Sequence, residues 1–204
     1  MSDTTQKVKK YPARIFFRAT VVCPSCFQRF KEQAEQCPRC GFDAHAVVKK
    51  FPYTPPVLER FMDHAGVADE RLITDVTAAA NGVMRRFPQV GLHFCMVNLE
   101  VDVNLAEFGF WMMNACTLEQ GQTEQSRVWS ILLLVDVKTG VVTATPGYAI
   151  EAFVEDSGLE KLLKEISPQL RAEDYREALL GYIQGVEALL GQAAQKVKNT
   201  IKTK

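Results

Sequence analysis

The sequence predicts an α/β fold, a mixed β-sheet sandwiched between helices, with a small cysteine-bearing module in front. Three observations predict it. After residue 56, apolar residues at helical spacing alternate with short apolar runs of strand length. Before it, four cysteines form two Cys-x-x-Cys pairs within eighteen residues. Charge divides at the same place: residues 1–56 hold ten Lys/Arg and four Asp/Glu, and residues 57–204 hold fourteen and twenty, in a chain of zero formal net charge. That division predicts two modules with different surfaces and excludes a uniformly basic nucleic-acid binder.

The 204 residues, 47% hydrophobic and 24% charged, have ordinary globular composition and are neither disordered nor fibrous. The longest apolar run, Ile131 to Val135, is far short of the roughly 20 residues that span a bilayer. The opening MSDTTQKVKK has no apolar signal-peptide core behind it, so a cytoplasmic location is expected.

The cysteine pairs are Cys23-Pro-Ser-Cys26 and Cys37-Pro-Arg-Cys40-Gly41. Each pair forms a tight turn that aims two thiolates at one point, and Gly41 supplies the unrestricted backbone such a turn needs. Four thiolates close a tetrahedral shell with no open position, which reads as structural zinc. Two disulfides or a redox pair are the alternatives; a cytosolic address disfavours the first. His45 is a substitute ligand only if a cysteine fails. Cys95 and Cys116, among apolar residues, read as buried free thiols. The segment Val21 to Asp43 resembles the zinc ribbons found at the ends of many proteins. Phe16, Phe17, Phe27, Phe30 and Phe42 are expected to pack its small core. Lys7, Lys9, Lys10, Arg14, Arg18, Arg29, Lys31, Arg39, Lys49 and Lys50 offer a phosphate contact, although such residues more often form a solvated face.

Phe51-Pro-Tyr-Thr-Pro-Pro56 reads as an extended linker. The expected organisation is a basic zinc ribbon module over 1–50, the linker over 51–56, an α/β domain over 57–192 and a basic tail over 193–204. Within the domain, Leu72, Ile73, Val76, Ala80, Val83, Met84 and Phe87 mark a helix over 69–87, stopped by Pro88. Residues 91–99 form a buried strand and 105–116 a second helix. Residues 128–137 are nearly all apolar, as a central strand covered on both faces would be. Lys138-Thr-Gly140 turns the chain into a returning strand over 141–145. Residues 149–154 make a short helical turn, Ser157-Gly-Leu-Glu160 opens a helix as a capping box, and the last helix runs from Ala172 to about Val197.

The stretch from Ile131 to Leu190 resembles the TPM domain family. The likeness rests on the hairpin 131–145, on Gly147-Tyr-Ala-Ile-Glu151 followed by Asp156, on Arg171-Ala-Glu-Asp-Tyr175 and on the closing helix. Upstream, Asp63-His-Ala-Gly66-Val67 resembles the entry of that domain. The resemblance implies an α/β/α sandwich. It also implies divalent-cation binding, calcium in some relatives, and an acid phosphatase activity. Asp63, Glu151 and Asp156 match its acidic positions and are the candidate cation ligands, with Ca²⁺ the candidate ion beside structural Zn²⁺. The alternative is that Glu151 and Asp156 favour helix starts and that Asp63 caps a turn before Gly66. The sequence departs from the family at Trp129-Ser130, at Thr139-Gly140 and around Asn114-Ala-Cys-Thr117.

Other catalytic patterns are absent from the sequence: it has no phosphate loop, no G-x-S-x-G and no H-E-x-x-H. His45, His64 and His93 are scattered, and His93 is expected to be packed in a strand. Asp136 ends a strand before a turn, a place for ligands in α/β sheets and equally a place for a turn aspartate. The expected function is therefore a non-catalytic binding or assembly module for a protein partner, a membrane protein among the candidates. A divalent-metal-dependent phosphatase is the alternative, and nucleic-acid contact through the basic ribbon the weaker one.

Overall fold

A strand buried on both faces reads as unbroken apolar sequence, and the run Ile131–Val135 is placed accordingly, inside a four-stranded sheet. The computed structural model describes residues 20–26, 28–31, 34–51, 53–99, 103–119, 122–154 and 156–202. In chain order the elements are β1 (Thr20–Val22), β2 (Arg29–Lys31), α1 (Ala44–Lys50), β3 (Val57–Leu58), β4 (Phe61–Asp63), α2 (Glu70–Arg86) and β5 (Gly91–Val97). They continue with α3 (Leu105–Ala115), β6 (Thr117–Leu118), α4 (Glu124–Val128), β7 (Ser130–Asp136), β8 (Val141–Pro146), a 3₁₀ turn (Ile150–Ala152), α5 (Asp156–Arg171) and α6 (Tyr175–Lys202).

The main sheet has the order β4-β5-β7-β8. The first three strands are parallel and β8 returns antiparallel. Side chains alternate between faces along a strand, so the central strands feed two cores. Leu92, Phe94, Met96, Ile131, Leu133 and Val135 face α2, α5 and α6. Cys95, Val97, Leu132 and Leu134 face α3, with α1 against its outer side. The expected mixed sheet between helices is what forms.

Local chemistry explains the boundaries. Asp69 caps α2 by accepting from Leu72 N at 2.7 Å, and Leu72, Val76, Ala80 and Val83 form its buried stripe. Asn104 caps α3, its Oδ1 accepting from Ala106 N and Glu107 N at 3.0 and 3.1 Å. Asp43 caps α1 through His45 N at 2.8 Å. Gly140, at φ +66°, closes the β7–β8 hairpin.

Three expectations need revision. Phe51, read as the first linker residue, is buried against Phe108 and Trp111. α1, read as part of the ribbon module, contributes Val47 to the same core. α6 runs on to Lys202, past the expected stop near Val197, because the residues after Gly191 hold neither Pro nor Gly and are largely helix formers. Phe16, Phe17 and Phe27, and the basic residues up to Arg18, lie outside the described residues.

Gly147 is needed where β8 ends. Its N–H donates to Ser130 O at 2.7 Å, and a Cβ there would meet the carbonyl oxygens of Arg127 and Val128 at 2.5 and 2.6 Å. Backbone on the far side cannot yield cheaply, so Gly147→Ala is expected to lower unfolding stability by about 2 kcal/mol in urea denaturation.

Candidate metal centre and acidic edge

β1 and β2 pair over only three residues each, Thr20 with Lys31 through Val22 with Arg29. So short a hairpin brings little apolar burial of its own. Its turn presents Cys23 and Cys26, and the loop after it presents Cys37 and Cys40. Cys37 N donates to Phe42 O at 2.8 Å, Gly41 N to Cys37 O at 2.9 Å, and Gly41 sits at φ +73°. The four Sγ atoms all lie within 4.8 Å of one another, with Cys23 to Cys40 at 3.6 Å and Cys26 to Cys37 at 3.7 Å. Such a group can hold a metal ion.

The two halves treat their first cysteine alike. Cys23 Sγ is held by the N–H groups of Ser25 and Cys26, and Cys37 Sγ by those of Arg39 and Cys40. Each cysteine thus receives amides two and three residues ahead, which favours a thiolate. Burial still dominates at Cys23 and pushes its thiol up to about 12. At Cys37 burial also pushes upward, but the two amides and the neighbouring thiols outweigh it and bring the group down to about 7. His45 is exposed on α1 and stands outside the sulfur group.

This unit is seated on the first turn of α3. Glu107, 8% exposed, accepts from Lys50 Nζ at 2.6 Å. Burial alone would raise its carboxyl; the Lys50 ammonium, with a smaller effect of the nearby Ser25 hydroxyl, outweighs that and holds it below the ordinary glutamate value. Asn104 Nδ2 approaches Ser25 O at 3.5 Å, and the Phe42 ring meets Phe110 edge-on at 5.4 Å. An open groove of about 350 Å³ follows this junction, with Ser25, Cys40 and Phe42 on one wall and Val47, Lys50 and Glu107 on the other. Nothing in the Cys-x-x-Cys spacing points to Ser25 or Lys50. The Asn104-x-x-Glu107 spacing before an apolar run is a helix-start signal that marks the place.

The acidic positions are not drawn together in this way. Asp63 ends β4 and pairs with Met96, which pairs with Val135, so it stands at the carboxyl edge of the sheet. Its two oxygens accept from Gly66 N at 2.8 Å and Ala68 N at 2.7 Å, forming the turn around Gly66. Glu151 follows β8; its N–H bonds Gly147 O, and Gly147 bonds Ser130 O, at the amino end of β7. Ser130 and Val135 are five strand residues apart, or about 16 Å. The backbones of Asp63 and Glu151 thus sit by opposite ends of β7. Asp156 opens α5, and its side chain lies outside those described. Asp136 serves its turn, accepting from Thr139 Oγ1 at 2.6 Å and Lys138 N at 3.3 Å.

The comparisons with known proteins bear on the body. Residues 106–189 match the TPM domain. The TPM match takes in α3 through the first half of α6, and the cysteine unit lies outside it. The solution NMR structure of the N-terminal domain of a P. gingivalis protein superposes with a TM-score of 0.54 at 17% identity, covering 72% of this chain and 88% of that one. The N-terminal domain of the cg2496 protein from Corynebacterium glutamicum gives 0.49 at 14% identity, covering 64% and 78%. At such identities the first likeness shows a shared fold and no more. No curated protein matches.

His93 is packed, as its strand position suggests. Its Nδ1–H donates to Glu59 O at 2.9 Å, and Nε2 faces Ser130 Oγ at 3.3 Å. Burial pulls its pKa down to about 4, with Arg60 and Arg127 adding to the fall and the Glu59 bond opposing it. A base whose folded pKa lies below its unfolded value costs nothing above the unfolded value of about 6.5 and penalises the fold increasingly below it. Stability should therefore drop by about 3 kcal/mol between pH 7 and pH 4 through this group alone. Urea melts at both pH values should show that part of the loss missing in His93→Gln.

Proposed function

We propose that the four cysteines hold one structural zinc ion, and that the protein is a non-catalytic binding or assembly module. Its zinc-pinned ribbon and TPM-like body would present their surfaces to a protein partner, a membrane protein among the candidates. Tetrahedral zinc with Zn–S bonds of about 2.3 Å separates its sulfurs by about 3.8 Å. The Cys23–Cys40 and Cys26–Cys37 separations of 3.6 and 3.7 Å suit that ion. Four sulfur ligands leave no site for an activated water, so the ion's role is to fold and fix the ribbon. Reduced, metal-bound thiols suit the cytoplasm. No helix among the described residues is long and apolar enough to cross a membrane, so any membrane contact would run through a partner.

One observation carries the non-catalytic reading. Asp63 and Glu151 stand at opposite edges of the sheet, and both oxygens of Asp63 are spent on a turn. A phosphatase needs its charge-stabilising groups within reach of one phosphoryl group. The matched family model is named for a phosphatase, so the assay is direct. Protein supplied with Ca²⁺ or Mg²⁺ should hydrolyse p-nitrophenyl phosphate no faster than its Asp63→Asn variant. Turnover that needs the cation and disappears in Asp63→Asn would establish the phosphatase instead.

The zinc site has its own test. Elemental analysis should find one zinc per chain, and Cys37→Ser should lose it. The melting midpoint should fall on chelation in the unmodified protein and stay unchanged in the variant. A partner recovered by the unmodified protein and lost by Cys37→Ser would support the assembly role.

A further inference from the structure

We propose that the outer edge of β8 is a docking edge, which takes an extended, uncharged segment of a partner protein as a fifth strand of the main sheet. The inference deepens the assembly reading above and rests on it for the existence of a protein partner. β8 is the last strand in the order β4-β5-β7-β8, so only β7 pairs with it. Gly147 N donates to Ser130 O, and the register runs from Ile131 with Pro146 to Asp136 with Val141. In an antiparallel pair the backbone groups of alternate residues point to the neighbouring strand. Thr143 and Thr145 therefore bond β7, and Val142 and Ala144 turn their N–H and C=O groups outward. Among the described residues no hydrogen bond outside the sheet reaches those groups.

Folded proteins blunt such edges with charge, proline or very short strands. β4, at the other edge, is three residues long. β8 is six, and no charged residue stands between Val141 and Ile150. Proline appears only at its last position, Pro146. Val141, 51% exposed, and Tyr148, 58% exposed, are the two most exposed large apolar side chains among the described residues, and they flank this strand at its two ends. An open ladder with apolar ends fits an added strand, whose main chain supplies affinity and whose alternate side chains supply specificity.

The helices decide what kind of strand. α3 packs on one face of β8 and α5 on the other, with α5 on the outer side of α6. A second copy pairing through its own β8 would bring the same two helices one strand spacing away, about 4.8 Å. Packed helices stand about 8–10 Å apart, so two copies collide before their strands meet. A lone extended segment brings no helices and lies between α3 and α5. Its main chain needs only to match Val142 and Ala144, and the uncharged edge favours neutral, β-branched residues.

Amide hydrogen exchange, followed by NMR on the whole protein, reads this edge. The probe is the capped heptapeptide Val-Thr-Val-Thr-Val-Thr-Val, N-methylated at alternate residues so that one bonding edge stays open and the peptide cannot stack on itself. In the free protein the Val142 and Ala144 amides should exchange faster than those of Thr143 and Thr145. Probe at about 90% occupancy should slow the first pair about tenfold. The same peptide methylated at every residue should slow neither. Ala144→Pro removes an outward N–H and no bond to β7; it should fold and lose the probe. The methylated control keeps the test decisive if that variant folds poorly. Val142 and Ala144 amides as protected as Thr143 in the free protein, or indifferent to the probe, would overturn the proposal. So would equal slowing by the fully methylated peptide, or binding retained in a folded Ala144→Pro. A dimer seen in sedimentation and lost in Ala144→Pro would put a second copy on the edge and overturn the partner segment. Phosphatase turnover, which defeats the assembly reading, is read in its own assay and does not move these amides.

Discussion

Four sulfur atoms within a few ångströms of one another constrain everything at the front of this chain. Neutral thiols gain little from such a gathering, and four bare thiolates would repel strongly. The backbone nevertheless builds it twice over, with paired amides on Cys23 and on Cys37 and a left-handed glycine at the second turn. The hairpin they anchor has strands of three residues and cannot support itself by apolar burial. A cation at the centre would resolve both problems, since it would neutralise the sulfurs and contribute the folding free energy that the small core lacks.

The body obeys a different constraint. Its central strand β7 is buried along its whole length, so its two faces must be covered separately. Helices α2, α5 and α6 cover one face; α3 and α1 cover the other. This layering fixes which groups can cooperate. The parallel strands β4, β5 and β7 send their carboxyl ends to one edge, and antiparallel β8 returns the chain to the opposite edge. Acidic residues that are neighbours in a motif can thus end up a sheet's length apart. The cysteine unit, by contrast, meets the body at the α3 N-terminus, through Ser25 O with Asn104 and Phe42 with Phe110.

Much of this was legible in the sequence. Apolar spacing marked α2, β5, α3, β7 and α6 because each buries one continuous stripe or strand, and the turn at Gly140 marked β8. The cysteine spacing marked the candidate metal ligands because few other uses place two such pairs so close. Short elements escaped: β3, β4 and β6 are two or three residues long, and α1 has no periodicity to show over seven. Phe51 was read by its proline neighbours as linker, whereas its burial comes from tertiary contact with Phe108 and Trp111. The separation of Asp63 from Glu151 was invisible for a related reason. It depends on the direction of β8 in the sheet, which residue identity does not encode locally. Glu107 looked like an ordinary polar residue on a helix; its burial and its bond to Lys50 come from tertiary packing.

The most direct test of the account is X-ray absorption at the zinc edge on purified, untagged protein. The account predicts one zinc per chain, surrounded by four sulfur scatterers at about 2.3 Å. Nitrogen or oxygen neighbours in the first shell, or cysteines joined as disulfides with no metal present, would contradict it.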